Sequence, residues 1–522
     1  MNDRERVLVV GAGAGGLAAA ALLAARGVEV TVLERAARAG GKMREISVGG
    51  RLIDGGPTVL TMRWVIEELF AACGLRLDDH LHLQRAEVLA RHAWPDGASL
   101  DLFADQERTV EAIQAFSGRE DADGYRRFCR YAHDIFRTVN SPFLQSERPT
   151  MRTLLDTAGS LGIGGILRID GYRTLWKALG DFFRDPRLLQ LFGRYATYCG
   201  SSPYLAPATL NVVAHVEREG VWLVEGGMIR VADALAEAAT RAGATFRYGA
   251  HVAEIVVSGG QVRGVRLDDG EVIGARAVIF NGDVGALARG LLGKPAAKKM
   301  PDPGDSRSLS AITWALTGTP RGFPLLHHNV FFSSNYAAEF DALFQRASVP
   351  QEPTVYVCAQ DRGASLAAPS APPPPTDAAQ ASPERFLCLI NAPAVGDKRP
   401  LSPQEIRECE ARTFTHLRRL GLSLEPSSEP IATAPHDFER LFPGTGGALY
   451  GPASHGWSAP LARAGSRAKL AGLYLAGGSV HPGAGVPMAM LSGRLAATSV
   501  LEDLGSTTPS RARVTPGGIS TS

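Results

Sequence analysis

Apolar residues change their spacing twice within the first thirty-four positions of the chain. Val7 to Val10 is an unbroken run of β-forming residues, the pattern of a parallel strand covered on both faces. Gly11 ends it. Leu17 to Ala25 is rich in Ala and Leu, the strongest helix formers, with Gly27 as a C-terminal stop, and Val28 to Leu33 returns to β-branched residues. Strand, helix and strand are expected in that order. A second unit of this kind begins near Gly226, where Met228 to Ala242 predicts an Ala-rich helix and Thr245 to Tyr248 a strand. Val252 to Val257, Val262 to Leu267 and Glu271 to Ile273, separated by Ser258-Gly259-Gly260 and Asp268-Asp269-Gly270, predict a small antiparallel meander. Ala277 to Phe280 returns the chain to the main sheet. Near the end, Leu473 to Ala476 predicts another short strand, followed by Gly477-Gly478 and a helix from about Met488 to Asp503.

This pattern is that of an α/β protein with a second, α+β domain. Residues 1–75, 210–290 and 462–505 are assigned to a discontinuous nucleotide-binding domain, and 76–209 and 291–461 to a substrate domain. Residues 105–200 read as mostly helical. There Arg126, Arg127, Arg130 and Arg137 alternate with Phe128, Tyr131, Ile135 and Phe136, which fits a solvated amphipathic helix or, alternatively, a membrane-facing surface. Residues 367–383, including Pro372-Pro373-Pro374-Pro375, are expected to be a disordered insertion, and 506–522 a disordered tail.

Length changes the picture little: 522 residues is more than one core usually holds. With 55 Lys and Arg against 53 Asp and Glu, the net charge of +2 creates no global field for nucleic acid or another polyanion. The six cysteines stand singly without a C-x-x-C pair, so reduced thiols are expected. The first residues contain no basic, apolar and cleavage regions in succession, which leads to the expectation of an intracellular, cytoplasmic protein. The apolar run around Leu161 to Ile169 is too short for a bilayer, which takes roughly 20 apolar residues, so any membrane contact is expected to be peripheral.

The chemistry begins at Gly11-Ala12-Gly13-Ala14-Gly15-Gly16, a G-x-G-x-x-G turn placed between a strand and a helix. Gly11 permits the tight turn, Gly13 a close approach of diphosphate to backbone, and Gly16 the packing of helix on strand; the helix N-terminus supplies free N–H groups. Alone, such a motif is weak. Glu34 strengthens it, because a carboxylate 23 positions after Gly11 at the end of the second strand can accept hydrogen bonds from ribose hydroxyls and opposes NADP. Then follow Arg35, Gly40-Gly41-Lys42 and Asp54-Gly55-Gly56-Pro57-Thr58.

With these additions the N-terminal region resembles the glutathione-reductase-like FAD superfamily in its amine-oxidase and phytoene-desaturase branch. The resemblance implies FAD, with Gly41, Lys42, Gly55, Gly56, Pro57 and Thr58 near the flavin side of the cofactor and the backbone of Val252 at adenine. Leu473 to Met488, containing Gly477-Gly478 and Val486-Pro487-Met488, resembles the closing flavin motif of bacterial carotenoid desaturases. Tyr198-Cys199-Gly200-Ser201-Ser202-Pro203-Tyr204-Leu205-Ala206-Pro207-Ala208 and Val221-Trp222-Leu223-Val224-Glu225-Gly226-Gly227-Met228 are similar to the hydroxyneurosporene or methoxyneurosporene desaturases. That subgroup inserts the 3,4 double bond of 1-hydroxycarotenoids. The middle of the chain, about 285 to 440, resembles it less specifically, and the proline-rich insertion departs from it.

What the resemblance implies is oxidation of an acyclic carotenoid by hydride transfer to flavin, in a protein peripheral to the inner or intracytoplasmic membrane of a bacterium. No second glycine turn of this type precedes a helix, so oxygen or a membrane quinone is expected to take the electrons. No catalytic base is assigned: His215, Glu217, His327, His328, His455 and His481 are candidates, each with a structural role as the alternative. The pair His327-His328 lacks a cysteine or carboxylate at ligand spacing in sequence, and no metal is assigned. Competing readings are another carotenoid desaturase or isomerase such as phytoene desaturase, a flavin amine oxidase, and a prenyl-lipid carrier without redox chemistry.

Overall fold

The computed structural model describes residues 6–147, 169–301, 304, 306–363 and 383–506. The expectations for residues 367–382 and for 507–522 lie outside the described residues.

Val7–Val10, a run buried at every position, is the centre of a five-stranded parallel sheet. Its neighbours are Ala277–Phe280 on one side and Val30–Glu34 on the other; Leu473–Leu475 and Thr245–Tyr248 form the edges. The central strands draw on stretches far apart in sequence because each is short and largely buried on both faces and so takes neighbours and helices on both sides, whereas the edge strand Thr245–Tyr248 is mostly exposed. The first helix, Ala14–Ala25, is buried along nearly its whole length. Its small Ala side chains let it lie between the helices Ile229–Arg241 and Val486–Ser506. The closing helix therefore runs a few residues beyond the expected Asp503.

The expected meander is present as Val252–Ser258, Gln261–Leu267 and Val272–Gly274. Its first turn is Gly259-Gly260, with both residues at positive φ (61° and 75°), a conformation that closes a two-residue hairpin and favours glycine.

A second, larger sheet faces a helical layer. Its strand order is Leu422–Pro426, Ser310–Gly322, Glu384–Ala392, Val355–Ala359, His328–Phe331, Val88–Ala93 and Ser99–Phe103, with Ile431–Thr433 also on Ser310–Gly322. All pairs are antiparallel except His328–Phe331 with Val88–Ala93.

The helical layer contains Gln106–Ser117, Arg119–Val139, Pro186–Gly193 and Val212–Glu219 around a core of Phe128, Phe183, Phe192 and Tyr195. The helix Arg119–Val139 buries Phe128 and Ile135 in this core, packs the Phe136 ring on His215, and turns Arg126 outward to Glu107 and Asp123. Its apolar stripe packs against the protein's own helices, as in the solvated amphipathic reading. Among the described residues no helix is long and apolar enough to cross a membrane.

Candidate functional site

The carboxyl ends of the parallel strands meet at one edge of the sheet, and the chain turns there three times on glycine. At the first turn Gly11 has φ +101° and donates to the carbonyl of Leu33 at 2.8 Å. The helix behind it starts at Gly13 with no side-chain cap and no acid in its first turn, so its leading amides remain available to an anion. Close packing fixes the small residues. A Cβ on Gly16 would stand 2.1 Å from the Gly11 carbonyl oxygen, and one on Gly13 2.8 Å from Asn281 Oδ1. Glu34 closes the turn from below: its Oε2 accepts from the Ala12 amide at 2.7 Å and its Oε1 from the Ala36 amide at 2.8 Å.

The second turn lies on the first. The Gly40 amide donates to the Ala12 carbonyl at 2.9 Å, and a Cβ on Gly41 would be 3.1 Å from Gly13 Cα. Lys42 then points inward, where Nζ donates to the Leu449 carbonyl at 2.6 Å; burial pushes its pKa down and Asp283 partly opposes this. Arg35 is exposed and donates to the carbonyls of Arg440 and Leu441. Gly55 packs on Ile46, and Gly56 lies so close to the Lys42 carbonyl that a Cβ would be 1.8 Å away. Beyond Pro57, Thr58 Oγ1 and the Tyr356 hydroxyl are 2.7 Å apart, which ties this segment to the larger sheet.

The third turn is Gly477-Gly478. The Gly477 amide donates to Ser492 Oγ at 2.7 Å, and a Cβ on Gly15 would meet both the Gly477 nitrogen and the Ala489 carbonyl at 2.9 Å. Val486, Pro487 and Met488 open the closing helix at this point. Arg463, 5% exposed, holds the segment in place through the carbonyls of Gly478, Tyr450 and Pro452 at 2.9 to 3.1 Å. Val252 is buried at the start of the meander, in one cluster with Leu33 and Val10. The sequence thus named residues of all three turns. It gave no notice of Asn281, Ser492 and Arg463, which reach the turns from distant positions; the only local signal was a polar residue directly after the apolar strand Ala277–Phe280. Asn281 Nδ2 donates to the Ala476 carbonyl, while its buried Oδ1 has no partner among the described residues.

In front of Thr58, between the larger sheet and the helical layer, Arg194, Tyr198, Cys199, Tyr356 and Tyr450 are surrounded by protein, yet each keeps part of its surface free. Enclosed side chains that keep free surface can border a binding space. Burial raises the phenol pKa of Tyr450 to about 12, and it holds the Tyr198 and Tyr356 hydroxyls protonated as well.

The candidate bases separate in this geometry. His215 lies within the helical layer against His133 and Phe136, with Nδ1 beside Arg218, and burial lowers its pKa to about 4. His455 accepts from the Ser202 amide at 3.1 Å and rests on Phe344; burial takes it to about 4 as well. His481, next to a cis Pro482, is 2.8 Å from the Phe143 carbonyl through Nε2, and burial again gives about 4. These three imidazoles are neutral at pH 7. Glu217 accepts from the hydroxyls of Tyr195 and Tyr198 at 2.5 and 2.6 Å. His328 Nδ1 is 2.7 Å from the Tyr356 hydroxyl, and its Nε2 is buried without a partner among the described residues. Among these candidates, His328 reaches the Tyr356 hydroxyl and Glu217 the Tyr198 hydroxyl directly.

His327 donates to the Arg362 carbonyl through Nδ1, and its Nε2 is 3.4 Å from Cys358 Sγ. His327, His328 and Cys358 have ligand atoms within 4.8 Å of one another, although Cys358 is not at ligand spacing from the pair in sequence. Strand pairing produces the encounter by setting His328 opposite Cys358. Burial raises the thiol pKa to about 12, which leaves a neutral thiol beside neutral imidazoles.

The family described as flavin containing amine oxidoreductase matches residues 14–501. Hydroxyneurosporene desaturase of Rubrivivax gelatinosus is 50% identical over 523 residues, 99% of this chain and 97% of that enzyme. The chain belongs to the carotenoid desaturase group of the flavin-containing amine oxidoreductases. As a member of that family it is an FAD-dependent oxidoreductase. The hydroxyneurosporene desaturase of Cereibacter sphaeroides is 44% identical over 504 residues, 96% of this chain and 98% of that enzyme. Among solved structures, putrescine oxidase bound to putrescine has a TM-score of 0.59 at 14% identity, covering 95% of this chain and 99% of that one. At that identity the likeness concerns the fold alone. The three glycine turns fit FAD in kind: uncapped helix amides for a diphosphate, a buried carboxylate for ribose, and a bare backbone against which a flat ring can lie.

Proposed function

We propose that the protein desaturates an acyclic carotenoid, introducing the 3,4 double bond of 1-hydroxyneurosporene or its methoxy form during carotenoid biosynthesis. The observation that carries this reading is identity of 44 to 50% with hydroxyneurosporene desaturases over nearly the whole chain. In this reading Gly11, Gly13, Gly15, Gly16 and the helix behind them take the FAD diphosphate, Glu34 the ribose, and Val252 the adenine. Arg35 fixes the rim, while Gly41, Lys42, Gly55, Gly56, Pro57, Thr58, Gly477, Gly478, Val486, Pro487 and Met488 surround the flavin. Bound FAD supplies a two-electron acceptor. The substrate gives up a hydride from an allylic carbon and a proton from its neighbour, and the electron pair of the second C–H bond becomes the new π bond. The chain's part is to hold the polyene end in the dry space before Thr58, where orientation alone is worth several kcal/mol. His328, through Tyr356, stands nearest to receive the proton.

Peripheral contact with the inner or intracytoplasmic membrane of a bacterium, from the cytoplasmic side, belongs to the same reading, with a membrane quinone or oxygen as terminal acceptor. It is supported by a substrate that dissolves in lipid and by the exposed Tyr172, Leu205 and Trp457. The last two sit on turns joined by the Gly456 amide and the Leu205 carbonyl at 3.0 Å.

The decisive experiment is anaerobic incubation of the flavin-loaded protein with 1-hydroxyneurosporene. The flavin absorbance is expected to bleach, with a product lighter by two hydrogens. Bleaching by benzylamine and by no carotenoid would replace this reading with an amine oxidase. An isomerised product of unchanged mass would replace it with an isomerase.

A further inference from the structure

A cation with spare donors is unexpected on the wall of a space meant for a hydrocarbon. Arg194 is such a cation. Burial disfavours its charge, but the nearby Glu217 carboxylate favours it and burial does not prevail, so it stays ionised. Its guanidinium lies over the rings of Tyr195 and Tyr198, at 5.7 and 5.2 Å from their centroids. Nη1 donates a long bond, 3.3 Å, to the Tyr198 hydroxyl, and Nε is buried with no partner among the described residues. Glu217 does not neutralise it directly, because its two oxygens accept from the Tyr195 and Tyr198 hydroxyls. The negative charge is held one hydrogen bond away, and the partly exposed guanidinium side chain makes no other hydrogen bond among the described residues. A charged donor left short of acceptors is costly, and an acceptor on a guest would relieve it.

We propose that Arg194, positioned by Tyr198 and Glu217, is the receptor for the oxygen atom at the oxygenated end of the carotenoid. This rests on the desaturase reading and deepens it by naming what selects the substrate. The ligand chemistry is an alcohol or ether oxygen attached to an aliphatic chain, an acceptor that a guanidinium satisfies and a hydrocarbon terminus does not provide. Location agrees with it. An oxygen on C1 is only three bonds from C3, about 4 Å at most from the bond to be oxidised, so its receptor must stand next to the flavin-facing segment. Arg194 is close to that segment: its charge acts on His328, whose Nδ1 is 2.7 Å from the Tyr356 hydroxyl, and that hydroxyl is 2.7 Å from Thr58 Oγ1. Chain length alone would let several carotenoids enter; a charged donor at this depth favours those whose terminus carries oxygen, because a hydrocarbon end leaves the donor unpaired.

The test uses the flavin-loaded protein with 1-hydroxyneurosporene and with neurosporene, which lacks the hydroxyl. Binding is followed by quenching of intrinsic fluorescence during titration with each carotenoid in detergent micelles, and turnover by anaerobic flavin bleaching. The unmodified protein is expected to prefer the hydroxylated carotenoid by about 10- to 100-fold in both binding and KM, the worth of a charge-assisted hydrogen bond. Arg194→Met should remove that preference by weakening the hydroxylated substrate while leaving neurosporene binding and the flavin spectrum unchanged. Tyr198→Phe, which preserves shape, should give a smaller loss in the same direction and serves if Arg194→Met does not fold. Equal weakening of both carotenoids, or an unchanged preference in both variants, overturns the proposal while leaving the desaturase reading intact. Turnover of neither carotenoid by the unmodified protein overturns the reading and the receptor with it.

Discussion

Glu34 carries two duties on one carboxylate. Its oxygens already hold the amides of Ala12 and Ala36, and in the proposed function its remaining lone pairs take the ribose. Glu34→Ala is therefore expected to purify without flavin absorbance and to lose about 1–3 kcal/mol of stability to urea through the two unpaired amides; full flavin occupancy would contradict the assignment. Asp54, at the base of the second glycine segment, shows the opposite economy. Burial raises its pKa to about 6, the amide of Met228 pulls it down, and Glu45 adds to the rise. A carboxyl raised in the folded state contributes stability that is complete below its unfolded value near 3.8 and is lost as pH rises through about 6. The loss is roughly 3 kcal/mol. Asp54→Asn keeps an acceptor for Met228 and cannot ionise. The urea midpoints of the two proteins should coincide near pH 4 and diverge by pH 8 in favour of the variant; parallel curves would refute the argument. At this scale the glycines and Glu34 were legible because one local turn dictates their spacing. Asn281, Ser492, Arg463 and Arg194 were not, since each is a lone polar residue whose meaning depends on partners far along the chain.

Helices and strands differ in how openly the sequence announces them. The strand, helix and strand from Val7 to Glu34 were readable because the apolar period switches, and the meander because Gly259-Gly260 suits a tight hairpin. The larger sheet gave no such sign. Ser310–Gly322 is buried at nine successive positions, so no alternation marks it as a strand, and its partners lie tens of residues away. The contact of the first and closing helices was equally silent. It depends on glycine: a Cβ on Gly493 would stand 2.0 Å from the Gly15 carbonyl oxygen. Gly493→Val is expected to force the helices apart at a cost of about 1–3 kcal/mol and to move Ser492 away from the Gly477 amide. Flavin should dissociate more readily, by about 10-fold or more, as measured by the fluorescence of released FAD after dilution. Ser492→Ala, which leaves the helix in place, should have the milder effect. Equal flavin retention in Gly493→Val and the unmodified protein would show that the helix contact does not set cofactor affinity.

Across the whole molecule, the two sheets divide the work. The parallel one gathers the glycine turns at its carboxyl edge, and the larger one reaches them through Tyr356, whose hydroxyl meets Thr58 Oγ1. Composition and charge announced little of this beyond a large core and no affinity for polyanions. The parallel sheet also imposes an order on biosynthesis. Its outer strand Leu473–Leu475 and the Gly477 turn are among the last described segments to leave a translating ribosome, whereas Gly11 and Glu34 are among the first. In the proposed function, a nascent chain halted before Leu473 has the first glycine turn without the Gly477 turn that packs on it, so flavin colour is expected to be acquired at the end of synthesis, when the final strand docks.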